Sequence, residues 1–117
     1  MKYIKMFEEL KDIGNYVICE EKYSSVDNFE IESFINNNIG QVVDHRTKNN
    51  MNVAYDGVPS IYNIFVQYEN LPNEIEYDFE YHKHIKNCRI FRLEEIKHSS
   101  KNKKDLESIL ISKKFNI

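Results

Sequence analysis

Acidic residues occupy every second position in one segment of this chain: Glu74, Glu76, Asp78 and Glu80. The positions between and beside them carry Ile75, Tyr77, Phe79 and Tyr81. Because strand side chains alternate between the two faces of a sheet, this pattern predicts a strand with an apolar inner face and four carboxylates outside. A surface of one charge sign speeds association with a basic partner, although the same pattern also describes an ordinary solvated face.

The histidines form a second group of residues with chemical potential. His82 and His84 lie on one side of a predicted strand end, and a third ligand from His45, Asp44 or Cys88 would complete a set that suits zinc. His45 stands between a carboxylate and a cation, but adjacent strand residues point to opposite faces. No nucleophile motif or phosphate-binding loop accompanies them. The sequence therefore predicts no catalytic residue and no cofactor, and leaves a metal-assisted hydrolase using His82, His84 and His45 as an alternative.

A hairpin over residues 61–82 is the element that would position the acidic residues. Its first arm places Ile64, Val66 and Tyr68 inward by alternation, and Leu71-Pro72-Asn73 supplies the turn. Phe65 and Glu69 then share the outer face with the carboxylates. An aromatic ring among exposed polar residues is a typical interface anchor, so we expect Phe65, Tyr68 and Glu69 to join the four acidic residues in binding a partner.

Periodicity and cap residues predict the remaining elements. Apolar spacing of three and four residues favours helices over 2–13, 26–40 and 102–114, the second capped by Asp27 and stopped by Gly40. Short β-favouring runs predict the strands 15–22, 41–46, 51–56 and 88–93, with 41–46 and 51–56 paired as a hairpin. Residues 97–104 read as a polar, basic connector. The expected fold is α+β: a twisted antiparallel sheet of about five strands with two N-terminal helices and one C-terminal helix packed on one face.

Length and composition place the chain among soluble globular proteins. Its 117 residues suffice for one core, which predicts a single domain over residues 1–117. No apolar run approaches the roughly 18 to 20 residues of a membrane span, and residues 1–14 contain no signal-peptide pattern. We therefore expect a cytoplasmic protein without a membrane partner. Cys19 and Cys88 are too few for a disulfide framework and are expected to be buried free thiols.

The net charge of −3 is unevenly distributed along the chain. Residues 49–82 contain six acidic residues and no Lys or Arg, whereas residues 83–117 contain ten Lys or Arg and four acidic residues. These segments can pair within the fold or present opposite poles to solvent. The basic connector 97–104 lacks the interleaved aromatic residues of a single-strand binding surface, so nucleic-acid binding is not favoured.

In size, acidity, Asn-, Ile- and Lys-rich composition and absence of a catalytic motif, the chain resembles the immunity proteins that neutralise bacterial toxin domains, including those of contact-dependent growth inhibition. The resemblance implies an inhibitor whose acidic surface covers the basic substrate-binding site of a cognate toxin, typically a nuclease. It does not specify the oligomeric state. A structural subunit of a larger assembly is a further alternative.

Overall fold

A computed structural model describes residues 13–22, 29–47 and 62–114 of the chain. The described residues form an α+β fold in which six antiparallel strands make one sheet, in the order β4-β5-β3-β2-β1-β6. The strands are β1 Tyr16–Cys19, β2 Gly40–Thr47, β3 Tyr62–Gln67, β4 Glu80–His82, β5 Ile85–Phe91 and β6 Ile96–Ser100. The helices are α1 Phe29–Asn37 and α2 Lys103–Lys114, with 3-10 turns at Glu76–Asp78 and Leu93–Glu95. The predicted α+β class is confirmed.

Two predicted elements, the helix over 2–13 and the strand over 51–56, lie outside the described residues. The expected hairpin between 41–46 and 51–56 therefore has no described second arm, and β2 pairs with β1 and β3. Among the described helices, none is long and apolar enough to cross a membrane.

The main core lies between α1 and one face of the sheet. Ile64 and Val66 of β3 have no exposed surface, as the predicted alternation requires, and Ile31 and Ile35 of α1 are buried against the same cluster. The spacing of four residues places both isoleucines on one helix face. Full burial of an aliphatic side chain of this size stabilises the folded state by about 1.5 to 3 kcal/mol, so this layer contributes strongly to the stability of the fold.

The central hairpin predicted over 61–82 is wrong in its second arm. β3 pairs with β2 and β5, while the chain that follows it turns, forms a 3-10 helix at Glu76–Asp78 and enters the sheet only as the three-residue β4. Ile75 and Phe79 are buried, but Tyr77 and Tyr81 are 95% and 75% exposed. Residues 75, 77 and 79 would share one face of a strand, so the exposure of Tyr77 between two buried residues fits a helical turn and not a strand. The carboxylates reach solvent in either conformation, so their alternation did not distinguish the two.

The predicted basic connector 97–104 contains a strand that the sequence pattern did not reveal. β6 pairs with β1 and forms one edge of the sheet, and Ile96 supplies its buried apolar contact. An edge strand can be polar and rich in Lys, because charge there discourages pairing with other chains. The helix predicted after Asn102 is confirmed: α2 begins at Lys103, and Ser100 Oγ donates a hydrogen bond to Asp105 Oδ2 at 2.8 Å.

Two further predictions concern α1 and the cysteines. The helix predicted over 26–40 is confirmed in its centre, while its cap Asp27 lies outside the described residues. Gly40 does not stop this helix; it begins β2, opposite Val17. Cys19 and Cys88 are free and buried, as expected.

Candidate functional site

The acidic segment, residues 74–80, forms a prominent charged surface at the β4 edge of the sheet. All four of its carboxylate residues are exposed. Because most of this segment is a turn and a 3-10 helix, the carboxylates do not form the single same-face row expected of a strand. Tyr77 lies among them almost fully exposed, and Tyr81 follows in β4. The sequence placed both tyrosines in the core. The structure instead combines negative charge with two exposed aromatic rings.

Contacts beneath the acidic segment hold its backbone in place. Phe79 is buried, and the guanidinium of Arg89 lies 5.4 Å from the centre of its ring. Arg89 Nη1 also donates to the carbonyl oxygen of Asp78 at 3.0 Å, and its Nε pairs with the largely buried carboxylate of Glu21. Arg89 of β5 therefore anchors the backbone and the Phe79 ring of the acidic segment from below, while the carboxylates of the segment remain in solvent.

The other residues predicted to bind a partner occupy different environments. Phe65 does lie on the sheet face opposite Ile64, but it is only 9% exposed, so its predicted exposure is wrong. The ring of His82 stacks on it with centroids 3.8 Å apart. Tyr68 is buried in an aromatic cluster with Phe79 and others and presents no surface to a partner. Glu69 is exposed.

The imidazole ring that stacks on Phe65 belongs to a side-chain cluster centred on Asp44. A register shift between Val42 and Asp44 places Asp44 opposite Phe65 and brings it to the face where His82 lies. His82 Nε2 and Asp44 Oδ2 are 2.6 Å apart, and the same carboxylate oxygen lies 3.4 Å from Lys83 Nζ. These contacts tie β2 to the β4 end of the sheet. The sequence grouped Asp44 with His82 only as possible ligands of one zinc ion. It did not predict their direct hydrogen bond, because the two residues are 38 positions apart and their contact depends on the bulge.

The carboxylate of Asp44 is ionised over an extended pH range. Burial alone would raise its pKa, but hydrogen bonds from His82, the backbone N–H of His45 and Lys83 outweigh burial and lower the pKa to about 2. Arg46 Nε adds a further ion pair at 3.6 Å. In the described part of the chain, no hydroxyl or thiol bonds to the His82 ring, whose partner is Asp44. The geometry therefore supports a structural hydrogen bond between His82 and Asp44 more than an acid–base dyad.

Of the predicted metal ligands, the structure brings His82 and Asp44 into contact but does not assemble a set of three among the described residues. His45 pairs with Ile64 in the sheet, whereas His82 faces Asp44 and His84 is exposed in the turn before β5. Within residues 13–22, 29–47 and 62–114, no group of three His, Cys, Asp or Glu side chains could hold a metal ion. The thiol of Cys88 donates to the carbonyl oxygen of Ile85 at 3.6 Å, and burial raises its pKa.

Replacing Asp44 with Asn should lower the free energy of unfolding by about 1 kcal/mol near pH 6, after allowance for solvent screening of its ion pairs. The folded-state pKa lies below the ordinary 3.8, so the stabilisation is complete above about pH 4 and disappears as the pH falls toward 2. Urea unfolding of both proteins from pH 6 to 2.5 measures this. The exposed Glu107→Gln is the matched control. A stability difference that persists unchanged at pH 2.5 would contradict the ion-pair assignment.

Comparison with known proteins identifies no relative of this chain. No protein-family model, curated protein or solved structure matches the chain significantly.

Proposed function

We propose that this protein is an immunity-type inhibitor, which binds a cognate toxin through the acidic segment 74–80 and thereby covers the toxin's basic substrate-binding surface. The observation that carries the proposal is the position of Tyr77, an aromatic ring 95% exposed and surrounded by exposed carboxylates on an anchored turn. Single exposed apolar residues are common, but tyrosine is enriched in protein interfaces, and the carboxylates around Tyr77 suit the polar rim of an interface with a basic partner.

Charge and aromatic area have separate roles in this mechanism. The four carboxylates attract a basic partner over roughly the 10 Å Debye length at 0.1 M salt and so raise the association rate. Tyr77 and Tyr81 supply contact area at small entropic cost and so lower the dissociation rate. A nuclease cleft binds phosphates through Lys and Arg, and the carboxylates offer it negative charge in their place.

The anchoring beneath the segment favours a preformed surface. The carbonyl oxygen of Asp78 and the ring of Phe79 are both held by Arg89, so partner binding does not have to order this turn first. An interface that is already ordered avoids part of the entropy cost of association. The metal-assisted hydrolase that the sequence left open draws no support from the described geometry, because His45, His82 and His84 do not converge.

Reversing one charge in the acidic segment should slow association with the cognate toxin. We expect Glu76→Lys to lower the association rate by about threefold to tenfold at low salt, with little effect at 0.5 M salt, because steering is electrostatic. The partner for this measurement is the product of the neighbouring gene, provided that it is a basic protein and that co-expression silences its toxicity. Surface-immobilised kinetics at several ionic strengths give the rate.

The matched control is Glu107→Lys, which makes the same change of net charge at an exposed position on α2. Equal slowing by both variants would mean that only net charge matters and would remove the acidic segment from the interface. Failure of the neighbouring protein to bind or to be silenced would contradict the immunity function itself.

Tyr77→Ala should leave the association rate almost unchanged and raise the dissociation rate.

A further inference from the structure

We infer that a second site, a polar cleft at the end of the sheet next to α1, binds an arginine side chain of a basic protein partner. The cleft has a volume of about 240 Å³. Three of its lining residues, Tyr16, Gln41 and Gln67, are paired across β1, β2 and β3 in one row. Paired residues of an antiparallel sheet point to the same face, so the row brings one aromatic ring and two amides to one side of the sheet.

The amides of the cleft are arranged to accept hydrogen bonds. Gln41 Nε2 donates to the carbonyl oxygen of Gly14 at 3.0 Å, and Gln67 Nε2 donates to that of Lys86 at 3.2 Å. Asn37 and Asn38, at the end of α1, likewise donate to backbone carbonyls within the helix, at 2.7 and 2.8 Å. These bonds identify the oxygen of each amide. Among the described residues none donates to those four oxygens, which therefore remain available as acceptors.

Electrostatics favour a cation in the same place. The cleft includes residues 37–39, where α1 ends, and the C-terminal end of a helix carries partial negative charge. The last turn of α1 contains no basic residue that would neutralise it. Glu69, whose carboxylate is exposed, lines the cleft as well. The amide oxygens require a hydrogen-bond donor, and the helix C-terminus and the carboxylate favour a donor that is positively charged.

A guanidinium group fits this combination better than an ammonium group. It is planar, carries five N–H donors for several acceptors, and stacks on an aromatic ring such as Tyr16. The row of paired strand residues that lines the cleft continues beyond Gln67 to Cys88 of β5 and then to Glu80 of β4. Two strand spacings, roughly 10 Å, separate Gln67 from Glu80, so one basic protein can reach both the cleft and the acidic segment. The inference rests on the proposed function only for the identity of that partner.

Lys103 also lines the cleft, on the side formed by α2. Its ammonium group repels a bound cation, and this repulsion makes it possible to test whether binding in the cleft is electrostatic. Glu69→Gln should weaken guanidinium binding by about threefold, and Lys103→Gln should strengthen it by about twofold, since both groups are exposed and screened. Binding that is not electrostatic would not respond to the two changes in opposite directions.

The experiment is an NMR titration of the full chain with N-acetylarginine amide, compared with its neutral isostere N-acetylcitrulline amide. We expect the side-chain amide resonances of Gln41 and Gln67 to shift with the arginine probe and to remain nearly constant with the citrulline probe. Equal shifts with both probes, arginine-induced shifts confined to the acidic segment, or no opposite response of the Glu69 and Lys103 variants would overturn the inference.

The variant Glu76→Gln separates this site from the proposed toxin interface. It removes one carboxylate of the acidic segment and should leave the arginine-induced shifts of Gln41 and Gln67 in place. Loss of those shifts in Glu76→Gln would show that the cleft is not an independent site. If the cleft does not bind arginine while Glu76→Lys still slows toxin association, the inference fails and the proposed function stands.

Discussion

Gly40→Ala should destabilise the fold by about 3 kcal/mol, because the first residue of β2 has no room for a methyl group. A Cβ at this position would lie 2.3 Å from Val66 Cγ1 and 3.0 Å from Tyr68 Cζ. Val66 is completely buried, and Tyr68 is held edge-on by Phe34 at a centroid distance of 5.6 Å and by other rings. Neither neighbour can move aside without disturbing the core. The free energy of unfolding in urea measures the loss.

A double-mutant cycle with Val66→Ala tests the proposed clash. Val66→Ala alone leaves a small cavity and destabilises the protein, but it also removes the methyl group closest to the new Cβ. Gly40→Ala should therefore cost at least about 1 kcal/mol less in the Val66→Ala background than in the wild type. Strict additivity of the two losses would show that the cost arises elsewhere, for instance from backbone conformation.

Glu95→Gln should lower the free energy of unfolding by about 2 to 3 kcal/mol. Glu95 is 4% exposed, and its two carboxylate oxygens accept backbone N–H bonds from Arg92 and Lys22, both at 2.8 Å. Its own carbonyl oxygen accepts from the N–H of Glu20 at 2.8 Å. A glutamine can present only one oxygen, so one of the two N–H groups would face a donor. Charge-assisted bonds to backbone donors are among the stronger ones in proteins.

The exposed Glu107→Gln is the control for Glu95→Gln, because it removes the same charge without a described contact. Amide hydrogen exchange locates the effect: the N–H groups of Lys22 and Arg92 should lose protection in Glu95→Gln and keep it in Glu107→Gln. If Glu95→Gln is no more destabilising than the control, the carboxylate is not the link between β1 and the turn before β6.

Elements with strong local signals were predicted correctly from the sequence. The centre of α1 has apolar residues at helical spacing, and the start of α2 has Asn102 and Asp105 at cap positions, so short-range interactions define both. The inward alternation of Ile64 and Val66 is also a local property of β3. The two cysteines are free and buried, as the sequence predicted.

The candidate site was only partly visible in the sequence. The exposure of the four carboxylates was predicted correctly, because charged side chains avoid the core in any backbone conformation. The exposure of Tyr77 was not, because tyrosine is compatible with a core and with a surface, and only the 3-10 turn decides which.

Contacts between distant parts of the chain were decided by the tertiary structure. Asp44 meets His82 only because a bulge in β2 re-aims one side chain and β4 lies at the sheet edge. The row that joins Tyr16, Gln41 and Gln67 depends on strand register, which sequence alternation alone does not define. The sequence by itself thus determined the fold class, α1 and α2, and the sign of the surface charge, since these follow from local periodicity and solvation. Strand order, register and the positions of the tyrosines were decided only by the tertiary structure, because they depend on which distant segments pack together.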